Sequence, residues 1–357
     1  MNASVALDVA GLDVDIHAPH GVLRAVDSVS FQAHRGRTVA LLGESGCGKS
    51  MTATAIAGVL DPVAEVAGGS IRLSDGAGRV TDLTSASAKE RRGLAGKELA
   101  IVFQDALTAL NPVYPVGTQL AEPFRIHRGL SRREARREAV ELMRRVGIPE
   151  PETRVDAYPH QFSGGMRQRL LIAIAVALSP SVLLADEPTT ALDVTVQAQI
   201  MSLLKELREE RDMAVVLITH DLALVFEQAD SVVVMYAGNV VEEGLVEEVF
   251  GHPGHPYTRG LLDSVPVSAE RGASLSSIGG SPPELSAIPP GCVYQDRCPL
   301  VRGLCREQRP TAREVSPGHR SACHFSDEVS SEVVSSEEAG SEVVSSAEAN
   351  RSVEVDR

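Results

Sequence analysis

The segment Gly43-Glu44-Ser45-Gly46-Cys47-Gly48-Lys49-Ser50 spaces its glycines, a lysine and a hydroxyl as a loop must to wrap a chain of phosphates. The glycines let backbone N–H groups turn inward around phosphate oxygens, and a helix opening at Lys49-Ser50-Met51 adds its positive end. In that chemistry Lys49 supplies a point charge to the β- and γ-phosphates, and Ser50 offers a hydroxyl to Mg²⁺. Cys47 contributes its backbone, and an exposed thiol there makes the loop sensitive to thiol reagents. Downstream, the apolar run VLLAD (182–186) ends in Asp186, suited to hold Mg²⁺ through water. Glu187, directly after it, is suited to accept a proton from an attacking water. His220 closes a second apolar run, VVLITH, and reads as a γ-phosphate contact. The pattern is that of nucleotide binding with hydrolysis, and its candidate catalytic residues are Lys49, Glu187 and His220.

Those side chains need strands that end together. Residues 7–17 and 25–33 alternate apolar and polar residues as half-buried strands do, and Thr38–Leu42 is a short apolar strand running into the phosphate loop. The stretch 51–60 is helix-compatible, and charged, Ala-rich segments at 86–98 and 131–147 predict surface helices. The second of these starts with Ser131 and Glu134, the spacing of a capping box. An apolar helix follows SGGM (163–166), a helix spans about 194–211, VVLIT (215–219) is a buried strand, and VVVMYAGNVVEEG predicts a strand pair turning at 237–239. Strands alternating with helices imply a mostly parallel sheet covered on both faces, with ligands at the carboxyl ends of its strands.

Composition narrows the function class. The chain has 357 residues, 43% hydrophobic, with a net charge of −14. That balance argues against holding nucleic acid by phosphate neutralisation. No apolar run approaches the roughly 18–20 residues that span a bilayer, and the N-terminus lacks a secretory pattern, so the chain is expected to be soluble and intracellular. From 326 onward nine acidic residues face two arginines, and SEVVSSEEAG is followed by SEVVSSAEAN. This segment, 326–357, is expected to be a disordered acidic tail.

FSGGMRQR (162–169) resembles the signature sequence of ABC-transporter ATPases and lies about 23 residues before Asp186-Glu187. The phosphate loop, a Q-loop at Gln104, the signature Ser163-Gly164-Gly165, the Asp186-Glu187 pair, a D-loop at Ala191-Leu192-Asp193 and a switch His220 follow one another in that family's order. FQDALTALNPVYPVG (103–117), YPHQFSGGM (158–166), LADEPTTALDVTVQAQI (184–200) and HPYTRGLL (255–262) are similar to the ATPase subunits of bacterial dipeptide and oligopeptide importers; nickel and glutathione importers belong to the same group. The resemblance implies an α/β fold: a P-loop, RecA-like ABC ATPase core over 1–265, with a helical subdomain at about 105–180 and an antiparallel β subdomain. A Cys-bearing extension follows at 266–325. It implies ATP and Mg²⁺, the latter held by Ser50, Gln104 and Asp186. It further implies a head-to-tail dimer in which Ser163, Gly164, Gly165 and Asp193 of one subunit complete the nucleotide site of a second ATPase, identical or paralogous. Two transmembrane permease subunits, served by an extracytoplasmic solute-binding protein, would place the chain on the cytoplasmic face of the membrane. A soluble ABC ATPase outside transport is the reading from another class. Met166, Phe162 and Ala106 depart from common family residues, and the adenine-stacking aromatic expected near 19–23 is missing, with His20 the nearest ring.

Cys292, Cys298, Cys305 and Cys323 cluster within about thirty residues, which in a cytosolic protein suggests a metal site rather than disulfides. Their spacing matches neither zinc ribbons nor ferredoxins and leaves iron–sulfur, zinc and free or redox-active thiols open. The resemblance to the importer extension favours a 4Fe-4S cluster. His319 and His324 are conceivable substitute ligands, read otherwise as surface residues.

Overall fold

The structure, a computed structural model, describes residues 4–104, 109–190, 192–264 and 278–329. The strands are β1 (Val5–Ala18), β2 (Gly21–His34), β3 (Thr38–Leu42), β4 (Ala64–Ser74), β5 (Val80–Asp82), β6 (Leu99–Val102), β7 (Val182–Asp186), β8 (Ala214–Thr219), β9 (Ser231–Tyr236), β10 (Asn239–Leu245), β11 (Arg313–Ser316) and β12 (His319–Ser321). They form a four-stranded antiparallel sheet, β2-β1-β4-β5, and an eight-stranded sheet, β11-β12-β10-β9-β3-β8-β7-β6. Within the larger sheet β9, β3, β8, β7 and β6 are parallel. Every residue of β3, β7 and β8 is buried, because the sheet is covered on both faces.

Helix α1 (Lys49–Ala57) follows the phosphate loop and stops at Gly58, a left-handed cap, short of the helix-compatible run to residue 60. Helix α2 (Ala88–Leu94) is a surface helix closed by a Ser87–Glu90 capping box. Next come α3 (Val116–Arg128), α4 (Arg132–Arg145), the single turn α5 (Pro151–Arg154) and α6 (Gly164–Val176). The predicted box at α4 is present: Ser131 Oγ accepts from Glu134 N at 3.3 Å and Ser131 N donates back to Glu134 Oε2 at 3.0 Å. These helices pack Leu120, Phe124, Met143, Leu170 and Ile172 with Leu183 and Leu217 on one face of the parallel strands. The opposite face buries Ile56, Leu184, Val216 and Ile218 against Leu12, Val29 and Phe31 of the antiparallel sheet. Helices α7 (Val194–Arg211) and α8 (Leu222–Gln228) complete the cassette.

The C-terminal extension is better organised than a loop-rich segment without a core. Its strand β12 pairs with β10, with Glu242 opposite Ser321 and Glu243 opposite Arg320, so the extension continues the ATPase sheet. Helices α9 (Val246–Gly251), α10 (Pro256–Asp263) and α11 (Gly303–Glu307) flank the junction. Tyr236, Tyr257 and Tyr294 meet there, with ring centroids 4.8–5.4 Å apart. His319 is not a surface residue: it is 1% exposed, and its Nε2 lies 2.7 Å from buried Glu242. The packed chain also continues past 325, since Val329 is buried and Arg302 pairs with Glu328. The acidic repeat at 331–350 lies outside the described residues, as do Ala106 and Ala191.

Candidate nucleotide site

Register brings the site together. Leu42 of β3 is opposite Thr219 of β8, and Asp186 of β7 is opposite Ile218, so three adjacent parallel strands end at one level. The phosphate loop, Asp186-Glu187 and His220 therefore converge in the crevice at the sheet's carboxyl edge. Gly48 caps α1 at φ 102°, and a Cβ there would stand 2.9 Å from Ala25 O, so the loop closes only with glycine.

Lys49 is buried and folded back on the loop: its Nζ donates to Gly43 O at 2.7 Å and Glu44 O at 2.9 Å. Ser50 Oγ donates to Asp186 Oδ1 at 3.0 Å. Burial pushes the Asp186 carboxyl above its ordinary value, and the Ser50 hydrogen bond only partly offsets it. A hydroxyl beside a desolvated carboxylate is a hard-oxygen donor set that fits Mg²⁺. Glu187 stands at φ 43°, a conformation a side chain seldom adopts, secured by its N–H donating to Ile218 O at 2.9 Å. Its Oε2 accepts from Gln104 Nε2 at 2.7 Å and Thr190 Oγ1 at 2.8 Å; its Oε1 lies 2.8 Å from His220 Nδ1. Burial alone would raise this carboxyl, but the His220 and Thr190 hydrogen bonds outweigh it and the net shift is downward.

The other predicted residues take different stations. Ser163 caps α6, accepting from Met166 N, with Ser163 and Gly164 exposed beside the helix N-terminus. Gly165 is there for packing as well: a Cβ would come within 2.5 Å of Val196 on α7. Asp193 caps α7, its carboxylate accepting from Val196 N at 3.0 Å. Cys47 is not the exposed thiol expected; it is 4% exposed, and burial raises its pKa. The N–H of Glu44, within the phosphate loop, donates to Tyr257 Oη at 2.9 Å. Its carboxylate is paired with Arg297 of the extension. His20 sits in the exposed β1–β2 turn.

The sequence reading missed Thr190, Tyr257 and Arg297. Thr190 and Tyr257 lie within the quoted segments LADEPTTALD and HPYTRGLL, whereas Arg297, whose partner is 253 positions away, carries no local signal.

The four extension cysteines line one small pocket with Pro256, Leu300 and Phe325. Burial raises Cys292, pushes Cys298 to about 11 and Cys323 to about 12. Among the described residues, no group of three or more His, Cys, Asp or Glu is arranged to hold a metal ion. Four thiols lining one pocket are a donor chemistry that suits a thiophilic group.

The ABC transporter family profile matches residues 26–190, and that of the oligopeptide/dipeptide transporter C-terminal region matches 241–305. The chain belongs to the ATP-binding subunits of ABC transporters. It is 46% identical over 331 residues to the dipeptide transport ATP-binding protein DppD of Bacillus subtilis, spanning 92% of this chain and 97% of that one. With the DppD of Escherichia coli the identity is 45% over 319 residues, 89% and 96% of the two chains. Among solved structures, the dimeric post-hydrolysis state of the ATP-binding cassette MJ0796, bound to ADP and Pi, superposes with a TM-score of 0.59 at 26% identity. It covers 67% of this chain and 98% of that one. The subunit is an ABC-type ATPase with an α/β cassette. Among the described residues no helix is long and apolar enough to cross a membrane.

Proposed function

We propose that this ATPase energises an importer of di- and oligopeptides from the cytoplasmic face of the membrane, working as a head-to-tail pair with a second ATPase beneath two permease subunits. An extracytoplasmic solute-binding protein would deliver the peptide. The near full-length likeness to subunits named for dipeptide transport supports the substrate class, and the C-terminal region profile supports it independently.

The hydrolytic reading rests on one observation: Glu187, 12% exposed, is held by Gln104, Thr190 and His220 at the strand ends that also carry Lys49 and Asp186. ATP binding exchanges the loop-carbonyl partners of Lys49 for phosphate oxygens. Ser50, Asp186 and Gln104 would hold Mg²⁺, which supplies charge neutralisation on the phosphates when bound. Glu187 must give up part of its hydrogen-bond set to orient water and take its proton. Gln104 and His220 are the groups to release it, because both are exposed and both have a second role toward the γ-phosphate. The exposed Ser163-Gly164 end of α6 offers N–H groups to the nucleotide of the partner cassette.

For the extension, the proposal is that Cys292, Cys298, Cys305 and Cys323 ligate a 4Fe-4S cluster with a structural or sensing role, since hydrolysis needs no electron transfer. Convergence of the four thiols on one pocket supports it. Iron and acid-labile sulfide after anaerobic purification are expected; zinc alone, or neither metal, would remove this part.

The test of the whole is ATP-dependent uptake by the co-expressed complex in vesicles, with dipeptide, nickel and glutathione offered separately. Dipeptide uptake abolished by Glu187→Gln is the expected result. Copurification of soluble partners only, with no permease, would overturn the transport assignment and leave the ATPase chemistry standing.

A further inference from the structure

We propose that Arg297 and Tyr257, in the C-terminal part of the chain, are positioning residues for the phosphate loop and act through Glu44. The second residue of that loop is held at every polar group it has. Its carboxylate takes a two-pronged contact from Arg297, Nη1 to Oε2 at 2.7 Å and Nη2 to Oε1 at 2.9 Å. Its N–H donates to Tyr257 Oη at 2.9 Å. Its carbonyl accepts from Lys49 Nζ at 2.9 Å and from Cys47 N at 3.3 Å. Arg297 of the extension and Tyr257 of α10 thus grip one side of a residue whose other side sets the lysine that meets the phosphates.

Arg297 is itself pre-set. Its side chain is 5% exposed, Nε donates to Gly279 O at 2.8 Å, Nη1 reaches Tyr236 Oη at 3.3 Å, and the guanidinium lies over the Tyr236 and Tyr294 rings. A lysine cannot reproduce this planar fork. Tyr257 is fully buried.

Two consequences follow. Fixing the Glu44 peptide fixes the curvature of the loop around Lys49. Neutralising its carboxylate also matters, because an unpaired anion on that loop would repel an incoming triphosphate. A contact that merely staples the extension to the cassette would change folding stability and leave affinity alone. The two roles separate by experiment.

The measurement is binding of mant-ATP with Mg²⁺ by the purified full chain, with ATPase kinetics and thermal unfolding recorded on the same samples. Arg297→Leu is expected to weaken mant-ATP about tenfold and raise KM alike, with kcat at saturating ATP within about twofold. Glu44→Gln, which loses the two-pronged contact but strands no anion, should weaken mant-ATP less than Arg297→Leu does, by about threefold or less. In the Glu44→Gln background the Arg297→Leu penalty should shrink to about twofold or less, since the stranded anion is gone. Tyr257→Phe, which removes only the oxygen that accepts the Glu44 N–H, should raise KM about threefold, and Arg297→Lys should fall between leucine and wild type. An unchanged affinity in Arg297→Leu with a lowered melting temperature would overturn the proposal, as would a penalty undiminished by Glu44→Gln. Should Arg297→Leu not fold, wild-type affinity in both Arg297→Lys and Tyr257→Phe would overturn it equally. The readout concerns nucleotide alone and stands or falls independently of the transported solute.

Discussion

The nucleotide site and the C-terminal extension share one sheet but are built differently. At the nucleotide site the strands are buried over their full length and aligned in register, and short polar loops carry the chemistry. In the extension the regular elements are brief, three or four residues per strand, and order comes from docking: β12 on β10, three tyrosines against one another, Glu242 against His319. The first region has a scaffold that would hold its shape with the reactive residues replaced. The second depends on each contact it makes.

Four expectations break or sharpen that contrast. Glu187→Gln should retain ATP and lose hydrolysis by about two orders of magnitude or more, with an unchanged melting temperature; near-normal turnover would remove Glu187 as the base. Lys49→Ala should weaken ATP binding by about tenfold or more, again without unfolding, because β3, β7 and β8 beneath the loop are buried along their whole length; equal affinity in a titration would contradict the role of Lys49.

Apart from the Arg297–Glu44 contact, the extension and the segment it docks on should behave in the opposite way, losing stability rather than chemistry. His255 is fully buried, its Nδ1 accepts from Tyr257 N at 3.1 Å, and burial drives its pKa down to about 3. The unfolded chain takes up a proton near pH 6.5 while the folded chain does not, so stability is lost as pH falls from about 6.5 toward 3, by up to about 1.4 kcal/mol per pH unit. His255→Asn, which keeps a capping oxygen, should flatten that acid slope in melting temperatures taken from pH 7 to 5; an unchanged slope would exonerate His255. The smallest effects are at the end of the packed chain. Ending the chain after Val329 should be neutral within about 0.5 kcal/mol, whereas ending it after Phe325 removes a buried valine and the Arg302–Glu328 pair and should cost about 1.5–3 kcal/mol. Equal melting temperatures for the two would show that Val329 contributes nothing.

The same contrast governs what could be read from the amino acids. The phosphate loop, the runs at 182–186 and 215–219 and the Ser131–Glu134 box are local signals, and each appears where its chemistry requires. Strand β4 carries Gly68 and Gly69 in its middle, β6 has four residues, and α3 contains Pro123, so each lacks the pattern that announces an element. Neighbouring strands and packed helices make them regular instead. Ser326–Val329 reads as the start of an acidic tail because its burial depends on Arg302 and Phe325, which lie earlier in the extension. Cys47 and His319 are misjudged for the same reason: burial belongs to the assembled fold. Among site residues, Glu187 was legible from its place after a buried strand, but its left-handed backbone was not.

The pairing of β12 with β10 also has a meaning for how copies of this chain treat one another in solution. A sheet that ended at β10 would offer a seven-residue row of N–H and C=O groups, flanked by Val240 and Val241, as a template for another chain. The extension pairs with the middle of that row, at Glu242 and Glu243, and moves the border there to β11, four residues long and carrying Arg313 and Glu314, a short charged margin that gives an incoming strand little to hold. A cassette cut free of its extension should therefore tend to self-associate through its sheet.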